Sequence, residues 1–232
     1  MKIGNSKLEL SGKTALVTGS AKRLGSAIAF ALADCGADVI VHYSTSEEEA
    51  LKTVDTIKKL GVNAWAVRAD LSDPNQPYNL IDSVFELTGK LDVLINNASI
   101  FSPDKLLDFS FDRLIENIKI NAWAPLALSR QFVKHQSKGH IINLLDTKVS
   151  HYDLAHSSYF ASKNMLKLFT EMLALELAPN FQVNAVAPGL TLAPEGKDRT
   201  YLESMKNTVP LKKAGKVKDI TDAVLFLLSS DI

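Results

Sequence analysis

Tyr159, Lys163 and Asp146 could together move a proton. Tyr159 and Lys163 stand four residues apart in an apparent helix, and Asp146 lies thirteen residues before the tyrosine. A tyrosine hydroxyl with an ordinary pKa near ~10 is a poor acid or base at neutral pH. An ammonium ~4 Å away is worth roughly 4 kcal/mol at an effective dielectric of ~20, or about 3 pKa units before desolvation opposes it. Helical spacing puts both side chains on one face, so we expect Lys163 to lower the pKa of Tyr159.

Short apolar runs alternate along the chain with longer stretches in which apolar residues recur every three or four positions. This alternation predicts an α/β fold, a Rossmann-type doubly wound parallel sheet of three layers, as a single domain over residues 1–232. Ligands of such sheets bind beyond the carboxyl ends of the strands, and Asp146 directly follows one predicted strand. The six predicted strands are 14–17, 39–41, 64–67, 91–95, 141–145 and 181–186.

Composition excludes several classes of function. The chain has 26 basic and 26 acidic residues, and this balance argues against a broad surface for nucleic acid or anionic membrane. Cys35 is the only cysteine, so no intrachain disulfide and no cysteine-based metal cluster can form. The apolar runs are far shorter than the ~20 residues of a membrane-spanning helix, and the N-terminus has no signal pattern. We expect a cytoplasmic protein that binds a small molecule and no metal.

A glycine turn follows the first predicted strand. Gly19 and Gly25 would let backbone N–H groups and the positive end of a helix approach a pyrophosphate. Enzymes specific for NAD usually carry an acid about 20 residues further on, but here the second strand ends in His42-Tyr43-Ser44. With Lys22 and Arg23 in the turn, a 2′-phosphate would meet cations, which predicts NADPH. The two cations could also be no more than a solvated helix start.

Asn121 lies four residues before Pro125 in a helical pattern. Proline has no N–H, so the carbonyl of Asn121 loses its usual helical partner. The sequence therefore predicts an irregular turn at Asn121, which could serve packing alone or expose that carbonyl.

In combination, the run from Thr18 to Gly25, the Asn96-Asn97-Ala98-Ser99 segment and the Tyr-x-x-x-Lys pair resemble the short-chain dehydrogenase/reductase family. The resemblance implies that Lys163 also holds the nicotinamide ribose and that the carbonyl of Asn121 binds a water in a proton relay. For Asp70, the resemblance implies a contact with the cofactor, but this residue could also be a helix cap. The cofactor contacts that the resemblance implies are Gly19, Lys22, Arg23, Leu24, Gly25, His42, Tyr43, Ser44, Asp70, Leu71, Asn97, Ala98, Ser99, Lys163, Pro188, Gly189 and Leu190.

Asp146 departs from the family, most of whose members carry serine at this position. A serine hydroxyl can donate to the oxyanion that develops in ketone reduction, whereas an ionised carboxylate would repel it. Reduction of a C=N bond sends a proton to nitrogen, which suits a carboxylate beside Tyr159. The aspartate resembles the pteridine reductase branch, in which Phe101 would sandwich a flat pterin against nicotinamide and Arg23 would reach cofactor phosphate and pterin. Phe101 could also be an ordinary loop anchor.

The leading prediction is an NADPH-dependent reductase of dihydrobiopterin, dihydromonapterin or dihydrofolate, with Asp146, Tyr159, Lys163 and Asn121 catalytic. Two alternatives stay open: a carbonyl reductase of a 3-oxoacyl thioester or sugar-like ketone, and a catalytically silent module that senses NADPH. Residues 191–210 are expected to form a substrate flap with a short helix. The resemblance also implies a homotetramer built through helices 112–135 and 159–177. Family members usually add a further strand beyond Ile232, so either the sequence is cut short or this edge strand is missing.

Overall fold

The protein forms one parallel sheet with helices on both sides, as seen in a computed structural model that describes residues 2–3, 6–150, 155–194 and 196–229. The spatial order of the strands in this part of the chain is 64–68, 38–43, 14–17, 93–96, 139–144 and 181–186, and each neighbouring pair is parallel. The predicted fold class and its six strands are confirmed. The strands are β3 (Thr14–Val17), β4 (Asp38–Tyr43), β5 (Ala64–Arg68), β6 (Val93–Asn96), β7 (Gly139–Leu144) and β8 (Phe181–Val186), preceded by an antiparallel ribbon of β1 (Lys2–Ile3) and β2 (Ser6–Lys7).

The helices cover two hydrophobic cores, one on each face of the sheet. Successive residues of β3 point to opposite faces. Val17 therefore joins the core under the helices 23–34 and 217–229, while Leu16 joins the core under the helices 76–88 and 124–135. Burial on both faces explains why the strands are nearly continuous apolar runs. The helices are α1 (Arg23–Asp34), α2 (Glu47–Lys58), α3 (Gln76–Thr88), α4 (Phe111–Ile118), α5 (Ala124–His135), α6 (Ser157–Leu177), α7 (Arg199–Met205) and α8 (Val217–Ser229).

The helix predicted over residues 112–135 is interrupted at the position that Pro125 indicated. A π-helical turn, Lys119–Trp123, joins α4 to α5, and the N–H of Ala124 donates to the carbonyl of Lys119, five residues earlier. Asn121 lies in the middle of this turn, where one extra residue per turn shifts the side chains relative to a regular helix. The predicted irregularity is thus a local widening of the helix.

Residues 191–210, the predicted flap, include α7 and a short 3-10 turn at Lys206–Thr208. The N–H of Gly215 donates to the carbonyl of Leu190 at 2.8 Å, which closes the base of the segment. Residues 230–232, where a further strand could begin, lie outside the described residues, and β8 is an edge strand in the part that is described. Among the described helices, none is both long and apolar enough to cross a membrane.

Candidate active site

The candidate site lies at the carboxyl edge of the sheet, where the strand order changes direction between β3 and β6. A glycine turn follows β3, and residues 97–101 follow β6. Asp146 comes two residues after β7, and Pro188 comes two residues after β8. Parallel strands bring all four connections to one edge, which is where a doubly wound sheet binds its ligand.

Tyr159 and Asp146 form the centre of the site. The Tyr159 hydroxyl donates to Asp146 Oδ2 at 3.0 Å, and only 6% of the tyrosine is exposed. Burial raises the pKa of Tyr159 well above its ordinary value, and the charge and hydrogen bond of the Asp146 carboxylate raise it further. The pair thus holds the phenolic proton firmly and points it at the carboxylate.

Lys163 is buried on the same helix but is bonded elsewhere. Its Nζ donates to the carbonyl of Leu144 at 2.7 Å and lies 5.9 Å from the centre of the Tyr159 ring. Burial lowers the pKa of Lys163 to about 8, and the charge of Asp146 opposes that shift. The expectation that Lys163 lowers the pKa of Tyr159 is therefore wrong for this arrangement. The hydroxyl is bonded to a carboxylate, while the ammonium is bonded to a backbone carbonyl.

The side chain of Asn121 fixes the loop after β6. Its Oδ1 accepts from the N–H of Ile100 at 2.9 Å and from Ser99 Oγ at 3.0 Å. Its Nδ2 donates to Ser162 Oγ at 3.0 Å, next to Lys163. Asn121 is thus joined through its side chain both to the loop and to α6, while the role of its carbonyl in a proton relay stays a prediction.

Phe101 lies against Tyr159. Its ring meets the Tyr159 ring edge-on, with centroids 4.7 Å apart, and stacks on His156 with centroids 3.9 Å apart. Phe101 is 45% exposed, so its outer surface is open to a ligand. Arg23 lies across the crevice, where its Nη2 donates to the carbonyl of Ala193 at 2.5 Å and joins the glycine turn to the flap. His156 was not predicted, because its place beside Phe101 depends on a contact between distant loops.

The glycine turn is held tightly against the loop after β6. Thr18 Oγ1 accepts from the N–H groups of Asn97 and Ala98, and Asn97 Nδ2 donates to the carbonyls of Thr18 and Gly19. Gly19 has φ 61°, and a Cβ on Gly25 would lie 2.3 Å from the Gly19 carbonyl oxygen. Only glycine fits at Gly25, since any side chain would push the turn away from the start of α1. Thr18 was not among the predicted site residues.

His42, predicted as a cofactor contact, faces the interior. It is 2% exposed, the N–H of Gly19 donates to its Nδ1 at 2.9 Å, and its Nε2 lies 3.1 Å from the carbonyl of Ala69. These partners place the proton on Nε2 and leave neither ring nitrogen for a 2′-phosphate. The structure contradicts a direct cofactor contact: His42 supports the glycine turn from behind.

Burial of a neutral His42 should make stability depend on pH. Desolvation lowers its pKa to about 4 from 6.5, so between these values the unfolded chain binds more protons than the folded one. As the pH falls from 7.5 to 5, the free energy of unfolding should therefore decrease by about 2 kcal/mol from this group alone. Urea unfolding of wild type and His42→Asn at both pH values measures the effect. His42→Asn should lack this part of the pH dependence, whereas the control His135→Asn, at an exposed histidine, should keep it. An equal pH dependence of stability in wild type and His42→Asn would contradict the prediction.

At the end of β4, Ser44 is exposed and Tyr43 is largely buried, its hydroxyl donating to Glu47 Oε1 at 3.3 Å. Arg68 pairs with Tyr43 across the strands, and its Nε donates to the carbonyl of Ser44 at 3.1 Å. Sequence reasoning missed this exposed cation, although parallel pairing of two strand ends would have indicated it.

Asp70 and Leu71 follow β5. Asp70 is exposed, and its Oδ1 accepts from the N–H of Ser72 at 2.9 Å and from Ser72 Oγ at 2.7 Å. Asp70 therefore closes a tight turn and does not cap α3, which begins at Gln76. The Leu71 side chain is buried in the core, so only its backbone could meet a ligand.

The far wall of the crevice comes from the connection after β8. The N–H of Thr147 donates to the carbonyl of Pro188 at 3.1 Å, and Gly189 is exposed at the crevice. A Cβ on Gly189 would meet Thr147 Cγ2 at 3.5 Å, an ordinary contact. Pro188, Gly189 and Leu190 thus border the residues next to Asp146, on the side away from the glycine turn.

These features fit a dinucleotide. The turn of Gly19 and Gly25 brings the backbone and the first turn of α1 to the crevice without an intervening side chain, as a pyrophosphate requires. Lys22 and Leu24 lie at the start of that helix, and Ser99 is exposed at the loop opposite. Apart from His42, the Leu71 side chain and Lys163, which lies on α6, the predicted cofactor residues lie in or next to the connections at the carboxyl edge of the sheet, and their contact with a cofactor stays a prediction.

Known proteins agree with this geometry. The family described as short chain dehydrogenase matches residues 13–201. A short-chain dehydrogenase/reductase from Pestalotiopsis microspora is 34% identical, over 96% of this chain and 90% of its own length. The crystal structure of FolM alternative dihydrofolate reductase 1 from Brucella canis, complexed with NADP, has a TM-score of 0.90 at 29% identity and covers 97% of this chain and 91% of that one.

A third comparison concerns another chemistry. The promiscuous reductase LugOII, which catalyses keto-reduction at C1 during lugdunomycin biosynthesis, has a TM-score of 0.88 at 33% identity and covers 96% of this chain and 92% of that one. The family match spans most of the sequence, including the glycine turn, Asn121, Asp146 and the Tyr159–Lys163 pair. The chain belongs to the short-chain dehydrogenase family.

Proposed function

We propose that this protein is an NADPH-dependent pteridine reductase, acting on a substrate of the dihydrobiopterin, dihydromonapterin or dihydrofolate type. The hydrogen bond from Tyr159 to Asp146 carries the proposal. A carboxylate beside the proton donor opposes the negative oxygen that forms when a ketone is reduced. It stabilises a protonated C=N group, whose positive charge precedes hydride transfer.

NADPH is the cofactor in this proposal. No carboxylate follows β4 at Ser44. Arg68, whose Nε donates to the carbonyl of Ser44, supplies positive charge there, and Lys22 adds a cation in the glycine turn. Glu47, which accepts from Tyr43, is the nearby acid that a 2′-phosphate would have to avoid. The FolM structure complexed with NADP, similar over nearly the whole chain, supports the same choice.

Bound NADPH would supply the hydride to a ring carbon of the pterin. Tyr159 would donate the proton to the adjacent nitrogen, and Asp146 would orient the tyrosine and accept from ring N–H groups. Lys163 would keep positive charge near the tyrosine as it loses its proton, while Asn121 would hold the loop and α6 in place. Phe101 would cover the flat ring, and Arg23 would close the crevice toward the flap.

The test is NADPH oxidation by the wild-type protein with dihydrobiopterin, dihydrofolate and a 3-oxoacyl thioester, together with dissociation constants for NADPH and NADH. We expect turnover of at least one dihydropterin, slower turnover of the thioester, and tighter binding of NADPH than NADH. Turnover of the thioester alone would refute the pteridine proposal while leaving the family chemistry intact.

A ketone reductase is the second candidate. The observation in its favour is the similarity to LugOII, which reduces a ketone and is more identical to this chain than FolM is. In this case Asp146 would have to turn away from the developing oxyanion or carry a proton. Asp146 accepts from Tyr159 at 3.0 Å, which supports the first candidate over this one.

Lys163 should give the reaction an upper pH limit. Its pKa is about 8 in the free protein, and above that value the neutral amine no longer supplies positive charge near Tyr159. Because the pKa of Tyr159 is raised, the tyrosine keeps its proton in this range. We expect kcat/KM to fall about tenfold per pH unit above pH 8, since kcat/KM reports groups of the free enzyme. In Lys163→Arg, residual activity should lack this transition, and a wild-type profile that stays flat to pH 10 would rule out the assignment.

We further propose a homotetramer in the cytoplasm, built through α6 and the α4–α5 run. Leu168, Met172 and Leu175 are exposed at successive turns of one face of α6. Such a stripe of large apolar side chains suits contact with another copy of the chain. Light scattering should give about four times the chain mass of 25.3 kDa. A mass of one chain at micromolar concentration would exclude this assembly.

A further inference from the structure

A continuous line of hydrogen bonds runs behind Tyr159 from Asn121 through Asn117 and Ser158 to Asp104, and the last three residues have no role assigned above. Asn117 in α4 is wholly buried. Its Nδ2 donates to Ser158 Oγ at 3.0 Å, and its Oδ1 accepts from Asn121 Nδ2 at 3.3 Å. Ser158 is also wholly buried and immediately precedes Tyr159. Asn117 therefore joins Asn121 to the backbone position next to the proton donor.

The line ends on a carboxylate at the start of α6. Asp104 accepts from the N–H of Ser158 at 3.0 Å and from Ser158 Oγ. The backbone of Asp104 also bonds to this region, donating to the carbonyl of Ala155 at 2.8 Å and accepting from the N–H of Ser157 at 3.3 Å. Along this line each side chain donates to the next one: Asn121 to Asn117, Asn117 to Ser158, and Ser158 to Asp104. Because these bonds point in one direction, they polarise one another in the same sense.

The same line holds both ends of the segment that carries Phe101. At one end Asn121 bonds to Ile100, and at the other end Asp104 bonds to Ser158. Phe101 lies between these anchors and packs edge-on against Tyr159. The loop over the site and the first turn of α6 are therefore fixed by shared partners.

The fold alone does not require an amide at residue 117. A leucine, which has the same number of side-chain heavy atoms and the same branching, could occupy this buried position between α4 and α6 and would need no hydrogen-bond partners. The asparagine donates to Ser158 Oγ and to the carbonyl of Arg113 in its own helix, and it accepts from Asn121 Nδ2. Two of these three partners adjoin the site. Its polarity therefore serves alignment.

We propose that Asn117 is a positioning residue that couples segment 99–104, which carries Phe101, to the first turn of α6, which carries Tyr159. When Phe101 closes on a flat substrate, the hydroxyl of Tyr159 is then aligned at the same time. The inference rests on Tyr159 as the proton donor and holds for either substrate class under the proposed function.

Asn117→Leu tests this coupling, with Ser129→Ala as the matched control. Ser129 is also wholly buried, and its hydroxyl bonds only to the carbonyl of Pro125, outside the line. We expect amide hydrogen exchange in 99–104 and 157–160 to be at least about tenfold faster in Asn117→Leu than in wild type, and unchanged in the control. With whichever substrate the wild type reduces, kcat should fall at least about tenfold, while the NADPH dissociation constant changes less than about threefold.

Ser158→Ala provides a second variant if Asn117→Leu does not fold, because it breaks the line while leaving the backbone bond to Asp104. It should accelerate exchange in 99–104 in the same way, and combining the two substitutions should add little. Unchanged exchange in 99–104 in a folded variant, or fully additive losses of kcat, would overturn the proposal. The exchange measurement needs no substrate. A wrong pteridine proposal can therefore be distinguished from a wrong assignment of Asn117.

Discussion

Tyr159→Phe should lower kcat for pterin reduction about a thousandfold, because a positioned general acid contributes 10²–10⁴. The hydroxyl is the group that donates to Asp146 at 3.0 Å, and Ser158, the residue before it, is turned toward Asp104. The ring itself is buried against Phe101 and would remain packed in the variant. Stopped-flow oxidation of bound NADPH measures the loss directly.

The matched control is Tyr78→Phe. This tyrosine lies in α3, far from the site, where its ring contacts Lys134. Tyr78→Phe removes the same phenolic oxygen as Tyr159→Phe. The control should keep wild-type kcat, and Tyr159→Phe should keep wild-type affinity for NADPH. A Tyr159→Phe protein that retains more than about a tenth of kcat would show that another group donates the proton.

Asp146→Ser should lower kcat/KM for a dihydropterin about 10- to 100-fold. Hydrogen bonds to a charged group are worth roughly 1.5–3 kcal/mol, and the serine removes the negative charge and the carboxylate oxygen that accepts from the Tyr159 hydroxyl. Removing the carboxylate should also lower the pKa of Tyr159 toward its ordinary value, since Asp146 contributes to raising it. Steady-state kinetics with dihydrobiopterin measures the change.

Asp146→Asn separates charge from shape. The amide oxygen can still accept from Tyr159, but it carries no negative charge to stabilise a protonated C=N group. We expect Asp146→Asn to lose almost as much pterin turnover as Asp146→Ser. Full activity in Asp146→Asn would mean that the carboxylate acts only as a hydrogen-bond acceptor.

The fold could be predicted because its signals are local. The central strands of the parallel sheet are buried on both faces, so they are short apolar runs, as the predicted strand 14–17 demonstrates by matching β3. Pro125 indicated the irregular turn at Asn121 for an equally local reason, the missing N–H. The edge at which Asp146 and the glycine turn meet follows from the parallel order of the strands.

The electrostatics and the supporting contacts could not be predicted, because they depend on which partner each polar atom selects. His42 was expected to meet a phosphate but bonds inward to Gly19, and Lys163 bonds to Leu144 although Tyr159 is one helical turn away. Asn117 and Ser158 are 41 residues apart, and only the packing of α4 on α6 brings them together. Spacing along the chain predicted which side chains gather at this edge of the sheet, while tertiary packing decided their hydrogen-bond partners and alignment.

The most direct test of the role of Asp146 is the ratio of kcat/KM for dihydrobiopterin to kcat/KM for a 3-oxoacyl thioester, measured in wild type and in Asp146→Ser. A carboxylate that favours a protonated C=N group and opposes an oxyanion predicts a ratio above one in wild type. In the serine variant the ratio should fall by at least about 100-fold, with the thioester rate rising as the pterin rate falls. An unchanged ratio would contradict the assignment of substrate specificity to Asp146.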